Sequence, residues 1–178
     1  MGLYQEALTS AMKILAAHEK VIFLGQSVAV AGTAMRTTLE HVPSEKLVEL
    51  PVDEDFQMGM ANGMALAGYI PISVFPRWNF LLLATNQIVN HSDKLGELSR
   101  RSPAPKVIIR TGIGSERPLY PGPQHTGDFT DAFRLMCPGL NIVRLDSAEM
   151  IIPEYEKALS RNDGVSTMLI EWGDKYAE

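Results

Sequence analysis

The sequence predicts an α/β protein built on a doubly wound, mostly parallel sheet with helices on both faces. Two observations predict it. Short apolar runs alternate with stretches of helical periodicity along the chain, and those runs are continuously apolar rather than alternating with polar residues. A strand covered on both faces must be apolar on both, whereas a strand with one wet face reads apolar and polar in turn. A third observation bounds the size: 178 residues of 46% apolar composition match one ordinary domain, so residues 1–178 are expected to form one unit.

The elements follow in order. Leu3, Ala7, Ala11, Ile14, Leu15 and His18 fall near helical spacing, and Val21-Ile22-Phe23-Leu24 is a buried strand ending at Gly25. A second strand is expected over residues 47–52. It runs into Asp53-Glu54-Asp55, an acidic cluster suited to cap and charge the first turn of a helix over 54–67. Gly68 ends that helix, residues 71–75 read as a strand, and residues 79–98 as one long helix. A strand over 106–110 precedes a Gly- and Pro-rich loop over 111–127. A helix over 128–136, a strand over 141–145, a helix over 148–159 and a strand over 166–172 complete the pattern.

Composition excludes several classes of function. With 16 basic against 21 acidic side chains, a net charge of −5 and no run of Lys or Arg, nucleic acid is not an expected partner. No stretch approaches the roughly 20 apolar residues that cross a bilayer. A lone cysteine, Cys137, can make neither an internal disulfide nor a cysteine-rich zinc site, and reads as a small buried side chain. The expectation is a cytoplasmic protein without membrane attachment, and no spacing of Asp and Glu marks a metal site.

Parallel sheets of this kind bind ligands outside the carboxyl ends of their strands, so the residues after each strand carry the search. Glu54 follows the second strand, on a helix rich in Gly59, Ala61, Gly63, Ala65 and Ala67. Small residues at that density point either to internal packing or to another helix or subunit held very close. Pro76-Arg77-Trp78-Asn79-Phe80 follows the third strand. Its aromatics are core residues or, beside a carboxylate, a stacking face for a planar heteroaromatic ligand. Arg77 is a solvated charge or a contact for an acidic substrate. His125 lies in the long loop, as a helix-capping histidine or as a proton carrier and oxyanion donor.

Taken together, Leu24-Gly25-Gln26-Ser27-Val28-Ala29, Pro51-Val52-Asp53-Glu54 with Gly59 and Gly63 to Gly68, Asn79-Phe80 with Asn86-Gln87-Ile88-Val89-Asn90, and Gly122-Pro123-Gln124-His125 resemble a known family. It is that of transketolase-like pyrimidine-binding domains, and in particular the beta subunits of two-oxo-acid (pyruvate and branched-chain) dehydrogenases. The resemblance implies thiamine diphosphate as cofactor. Glu54 would hydrogen-bond the aminopyrimidine N1′, Phe80 would stack on that ring with Trp78 beside it, and His125 would face substrate. Glu54 and His125 are thus the catalytic candidates; Glu54, Phe80 and Trp78 are the cofactor-binding ones.

The chain departs from the family in having Gln26-Ser27 where acidic residues are usual and Asp55-Phe56-Gln57 where small residues are common. It carries no GDG-plus-Asn motif, so the resemblance implies that a separate diphosphate-binding, alpha-type subunit holds Mg²⁺. The expected assembly is α₂β₂-like, acting on a small 2-oxo acid or ketose. The family's beta subunits also continue into a C-terminal domain, and this chain stops near its start. A non-catalytic or regulatory subunit retaining the fold is the alternative expectation.

Overall fold

The computed structural model describes residues 2–100, 102, 104–117 and 120–177. Helix α1 (Leu3–Ala16) leads into β1 (Val21–Gly25), a short α2 (Ala34–Thr37), β2 (Leu47–Glu49), α3 (Glu54–Leu66) and β3 (Ile70–Val74). Three short helices follow, α4 (Trp78–Leu81), α5 (Thr85–Asn90) and α6 (Leu95–Leu98), and then β4 (Ile108–Ile113), α7 (Thr130–Met136), β5 (Asn141–Arg144), α8 (Ala148–Ser160) and β6 (Thr167–Trp172). The six strands form one sheet in the order β2-β1-β3-β4-β6-β5, with every neighbouring pair parallel. The α/β, doubly wound expectation therefore holds.

Successive strand residues face opposite sides of the sheet, and here both sides are dry. Phe23, Ile72, Val74, Ile108 and Leu169 meet α1 and α8 through Leu8, Met12, Leu15, Ile151 and Tyr155. Leu24, Ile109, Met168 and Ile170 meet the other layer through Met58, Trp78, Ile88 and Phe133. That double burial is why the strands read as continuous apolar runs. Cys137 belongs to the second core, and burial pushes its thiol up to about 11.

The chain leaves β1 for β2 on one side and reaches β3 on the other, so the direction of winding reverses between β1 and β3. Gly25 ends β1 at φ +150°, and a Cβ there would lie 2.3 Å from the Val74 carbonyl oxygen. Only glycine allows both that dihedral and that approach. The two strands thereby converge at the point where open α/β sheets receive their ligands.

Three expectations need correction. Residues 79–98 are not one helix: 3₁₀ turns at Leu82–Ala84 and Ser92–Lys94 divide them, and His91 leaves helical geometry at φ −122°. Polar side chains compete for the backbone there. Thr85 Oγ1 donates to the Leu82 carbonyl at 2.5 Å, and Ser92 Oγ lies within hydrogen-bonding distance of both Asn62 Oδ1 (2.8 Å) and the Gln87 carbonyl (3.2 Å). Second, β4 runs past the expected end at residue 110 through Thr111, Gly112 and Ile113, because Arg110 is paired inside the protein. Third, β2 ends at Glu49 rather than at residue 52.

Candidate functional site at the carboxyl edge of the sheet

The loop leaving β1 is held by a carboxylate. Glu49, the last residue of β2, accepts backbone N–H bonds from Ser27 (2.6 Å), Val28 (2.9 Å), Ala29 (2.7 Å) and Val30 (3.2 Å). Ser27 adopts φ +54° to bring these donors round, forming the concave array of amides that suits an anion. Burial pushes the Glu49 carboxyl up, but the four N–H donors outweigh it and hold the group below the ordinary carboxylate range. The loop that this fixes carries Gln26, whose Nε2 donates to Glu54 Oε1 at 3.2 Å.

Glu54 owes its position to the cap before it. Asp53 accepts from the Phe56 N–H at 3.0 Å, as the acidic cluster predicted, and starts α3. Glu54 then occupies the first turn, 5% exposed although it is ionisable. Its Oε2 makes no hydrogen bond among the described residues, so half of its accepting capacity is uncommitted. One turn on, the fully buried Gln57 donates through Nε2 to Ser73 Oγ (3.0 Å) and to the Val74 carbonyl (2.9 Å). This clamps α3 across the convergence of β1 and β3. Gln57 Oε1 is buried without a partner.

The segment after β3 supplies the aromatics, and the structure separates them. Phe80 is half-buried, and its ring stands edge-on to the His125 imidazole with centroids 5.8 Å apart. Trp78 is fully buried, against Phe133 (5.0 Å) and Phe129 (6.3 Å). The expectation that Trp78 touches a cofactor is corrected on this ground: a ring with no accessible surface has no face to offer a ligand, and its place is in the core under α7. His125 is held from two sides, by Phe80 and by the backbone at Gly114, where a Cβ would lie 1.9 Å from the His125 carbonyl oxygen. Asn79 Oδ1 accepts from the Gly127 N–H at 3.3 Å and ties the same loop down. Nδ1 of His125 is buried with no partner.

The small residues of α3 divide in the same way. A Cβ at Gly59 would lie 3.6 Å from the Gln87 side chain of α5, whereas one at Gly63 would meet nothing within 4 Å. Phe56 and Leu66 are exposed on the same helix. Gly59 thus faces α5 at ordinary contact distance, whereas Gly63 lies on an open face. Sequence reasoning missed the roles of Glu49 and Gln57; an acidic residue closing an apolar strand, and a glutamine one turn after Glu54, were the signals available.

A second polar cluster lies deeper. Arg110 and Glu171, both fully buried, pair Nε to Oε1 at 2.6 Å and Nη2 to Oε2 at 3.0 Å. Thr38 Oγ1 accepts from Arg110 Nη2 at 2.8 Å, Tyr155 donates to Glu171 Oε1 at 2.7 Å, and Tyr176 donates to Oε2. Burial and the neighbouring Glu171 carboxylate push both tyrosines well above their ordinary range. Burial alone would lower Arg110, but Glu171 keeps it firmly charged. Among the described residues, no group of three or more His, Cys, Asp or Glu could hold a metal ion, and no helix is long and apolar enough to cross a membrane.

Comparison with known proteins gives these residues a context. Residues 3–172 match the family described as the transketolase pyrimidine-binding domain. The chain is 30% identical over 149 residues to the pyruvate dehydrogenase E1 component subunit beta of Rickettsia felis, covering 82% of this chain and 45% of that protein. It is 31% identical over 150 residues to the mitochondrial counterpart of Caenorhabditis elegans, covering 82% and 42%. The chain thus spans less than half the length of these curated relatives. Among solved structures, a transketolase from Campylobacter jejuni superposes with a TM-score of 0.71 at 13% identity, over 94% of this chain and 25% of that one. A structure described as a split gene transketolase, inactive beta4 tetramer, gives 0.66 at 18% identity, over 94% and 50%.

Proposed function

The chain belongs to the transketolase pyrimidine-binding-domain family, and from that premise we propose that it is the pyrimidine-binding subunit of a thiamine-diphosphate enzyme. Its substrate is a 2-oxo acid or a ketose, and a separate alpha-type subunit holds the diphosphate and Mg²⁺. The observation that carries this reading is Glu54. It is a carboxyl group almost removed from water, with one oxygen on Gln26 and the other uncommitted, at the edge where β1 and β3 converge. A buried carboxyl group with one uncommitted oxygen calls for a polar partner, and a ring nitrogen of a planar heterocycle can supply it. These residues fit an aminopyrimidine.

In this reading Glu54 meets the ring nitrogen N1′, Phe80 offers its half-exposed face to the ring, and His125 presents its imidazole to substrate. When bound, the cofactor supplies the carbanion chemistry that breaks or makes a bond beside a carbonyl. The protein supplies orientation and the protonation state of the ring. The open face of α3 at Gly63, with Phe56 and Leu66 exposed, is the surface offered to the partner subunit, in an α₂β₂-like assembly.

The test is titration calorimetry of thiamine diphosphate with Mg²⁺ into this chain and into its complex with a candidate diphosphate-binding subunit. Binding is expected in the complex alone, and Glu54→Ala is expected to weaken it at least tenfold and to abolish turnover. Full activity in the Glu54→Ala complex would sink the reading. A formed complex that binds no cofactor would favour the regulatory alternative, for which the Gln26 amide resting on Glu54 is the motivating feature.

A further inference from the structure

A cavity of about 190 Å³ opens at the carboxyl ends of β3, β4 and β6, bounded by the 32–35 segment, Pro76, Arg77, residues 112–115, Gly173 and Tyr176. At ~30 Å³ per water it has room for roughly six, the scale of one small functional group and its immediate carbons. Arg77 is the one charged residue in its lining among the described residues. No hydrogen bond or ion pair engages the Arg77 side chain among the described residues, and its Nη1 is buried without a partner. A guanidinium group left in that state costs stability, since a buried donor without an acceptor loses its hydrogen bonds to water and gains none in return. The nearby carboxylate of Asp174 does not relieve it, because it accepts instead from Ser115 Oγ and from the N–H groups of Glu116 and Arg117.

The cavity also adjoins the site described above. Gly114 forms part of its wall, and a Cβ there would lie 1.9 Å from the His125 carbonyl oxygen and 3.5 Å from Arg77 Nη1, so the guanidinium and the His125 backbone meet on the same side of that glycine. The wall of the cavity at Gly114 is therefore in direct contact with the backbone that carries His125.

We infer that this cavity receives an oxyanion of the substrate, carboxylate or phosphate, with Arg77 as its counter-charge. The inference rests on the function proposed above and narrows its substrate to one bearing an anionic group distal to the reacting carbonyl. The planar fork of arginine matches both oxyanions in two-point geometry. Among the described residues no acidic side chain lines the cavity, which selects for negative charge, and the small volume rejects a nucleotide.

The test needs neither cofactor nor partner. Backbone amide shifts of this chain are followed on titration with inorganic phosphate, with 2-oxoglutarate and with pyruvate. Saturable shifts at residues 112–115 are expected with phosphate or 2-oxoglutarate, and at least tenfold weaker binding with pyruvate, which lacks the distal anion. Arg77→Met is expected to weaken the binding at least tenfold, and Arg77→Lys to retain part of it. Response to phosphate alone identifies a phosphorylated substrate, and response to 2-oxoglutarate alone an oxo-diacid. No saturable response in the wild-type chain, or unchanged binding in a folded Arg77→Met variant, overturns the inference. Anion binding without cofactor binding in the complex would instead fail the thiamine reading alone.

Discussion

Buried polar groups gather on both faces of this sheet, and the two gatherings differ in how far the protein satisfies them. On the α1 and α8 face, Glu171 has Arg110, Tyr155 and Tyr176 around its carboxylate, and Arg110 commits two of its three nitrogens to Glu171 and Thr38. At the carboxyl edge, Glu54 has one partner, Gln57 Oε1 and His125 Nδ1 have none, and the Arg77 side chain is unengaged. Burial of charge is common to both, so burial does not distinguish structure from function here. Unspent hydrogen-bonding capacity beside a cavity does. The network around Arg110 and Glu171, closed except at Arg110 Nη1, is architecture, and in the proposed reading the open set at the carboxyl edge is where a ligand would complete the bonding.

The sharpest way to break that distinction is to remove one member of each set. Glu171→Leu leaves Arg110 charged and unpaired inside the sheet, which costs about 3–5 kcal/mol and lowers Tm by roughly 6–20 °C for a domain of this size. Arg110→Met combined with Glu171→Leu is expected to recover most of that loss, because the cost belongs to the orphaned charge. Glu54→Gln keeps the shape and is expected to move stability by less than about 1 kcal/mol, with its effect on cofactor binding instead. Denaturant melts of the four proteins decide this; comparable losses for Glu171→Leu and Glu54→Gln would erase the difference between the two sets.

The paired aromatics sharpen the same contrast on a smaller scale. Trp78→Ala removes a fully buried ring from between Phe129 and Phe133 and is expected to cost about 3–5 kcal/mol. Phe80→Ala removes a half-buried ring whose aromatic contact is His125 and is expected to cost about 1 kcal/mol or less. Its effect should appear as a changed His125 environment by NMR. Equal stability losses would return Trp78 to the site.

Much of this was legible in the sequence. The continuous apolar runs identified the strands because both faces of the sheet are covered, and Asp53-Glu54-Asp55 marked the start of α3 because the cap is a local interaction. What periodicity could not read was long-range. The strand containing Arg110 reads as ending there because a charge inside a sheet is unlikely until its partner, 61 positions away, is known. The helix expected over 79–98 breaks because Ser92 finds Asn62, on a different helix. Trp78 and Phe80 are equivalent in sequence, and only the packing of α7 separates the core ring from the half-buried one. Glu49 showed in the sequence only as an acidic residue closing an apolar strand, since its four donors lie in a loop joined to it through the sheet and not along the chain.

Glu49 offers the gentlest test, because it links the satisfied and unsatisfied regions: its carboxylate closes the amide array of residues 27–30, and the loop so closed carries Gln26 to Glu54. Its carboxyl is held below the ordinary range in the folded chain. A carboxyl depressed by folding stabilises the fold above its unfolded value, near 4.3, and that contribution disappears as pH falls through the depressed folded value. The order of residues 27–30 should therefore be independent of pH between 6 and 8 and should decline below about 4. Glu49→Gln replaces one of the two accepting oxygens with an NH₂ group facing backbone donors, so the loop should be loosened at every pH and lose its acid dependence. Amide hydrogen exchange at Ser27 to Val30, corrected for intrinsic rates, measures both effects, while Tm should change little because the side chain is largely exposed. Wild-type protection that stays constant to pH 3, or a Glu49→Gln loop as protected as wild type, would show that the turn at Ser27 holds itself and that Gln26 reaches Glu54 without help from the carboxylate.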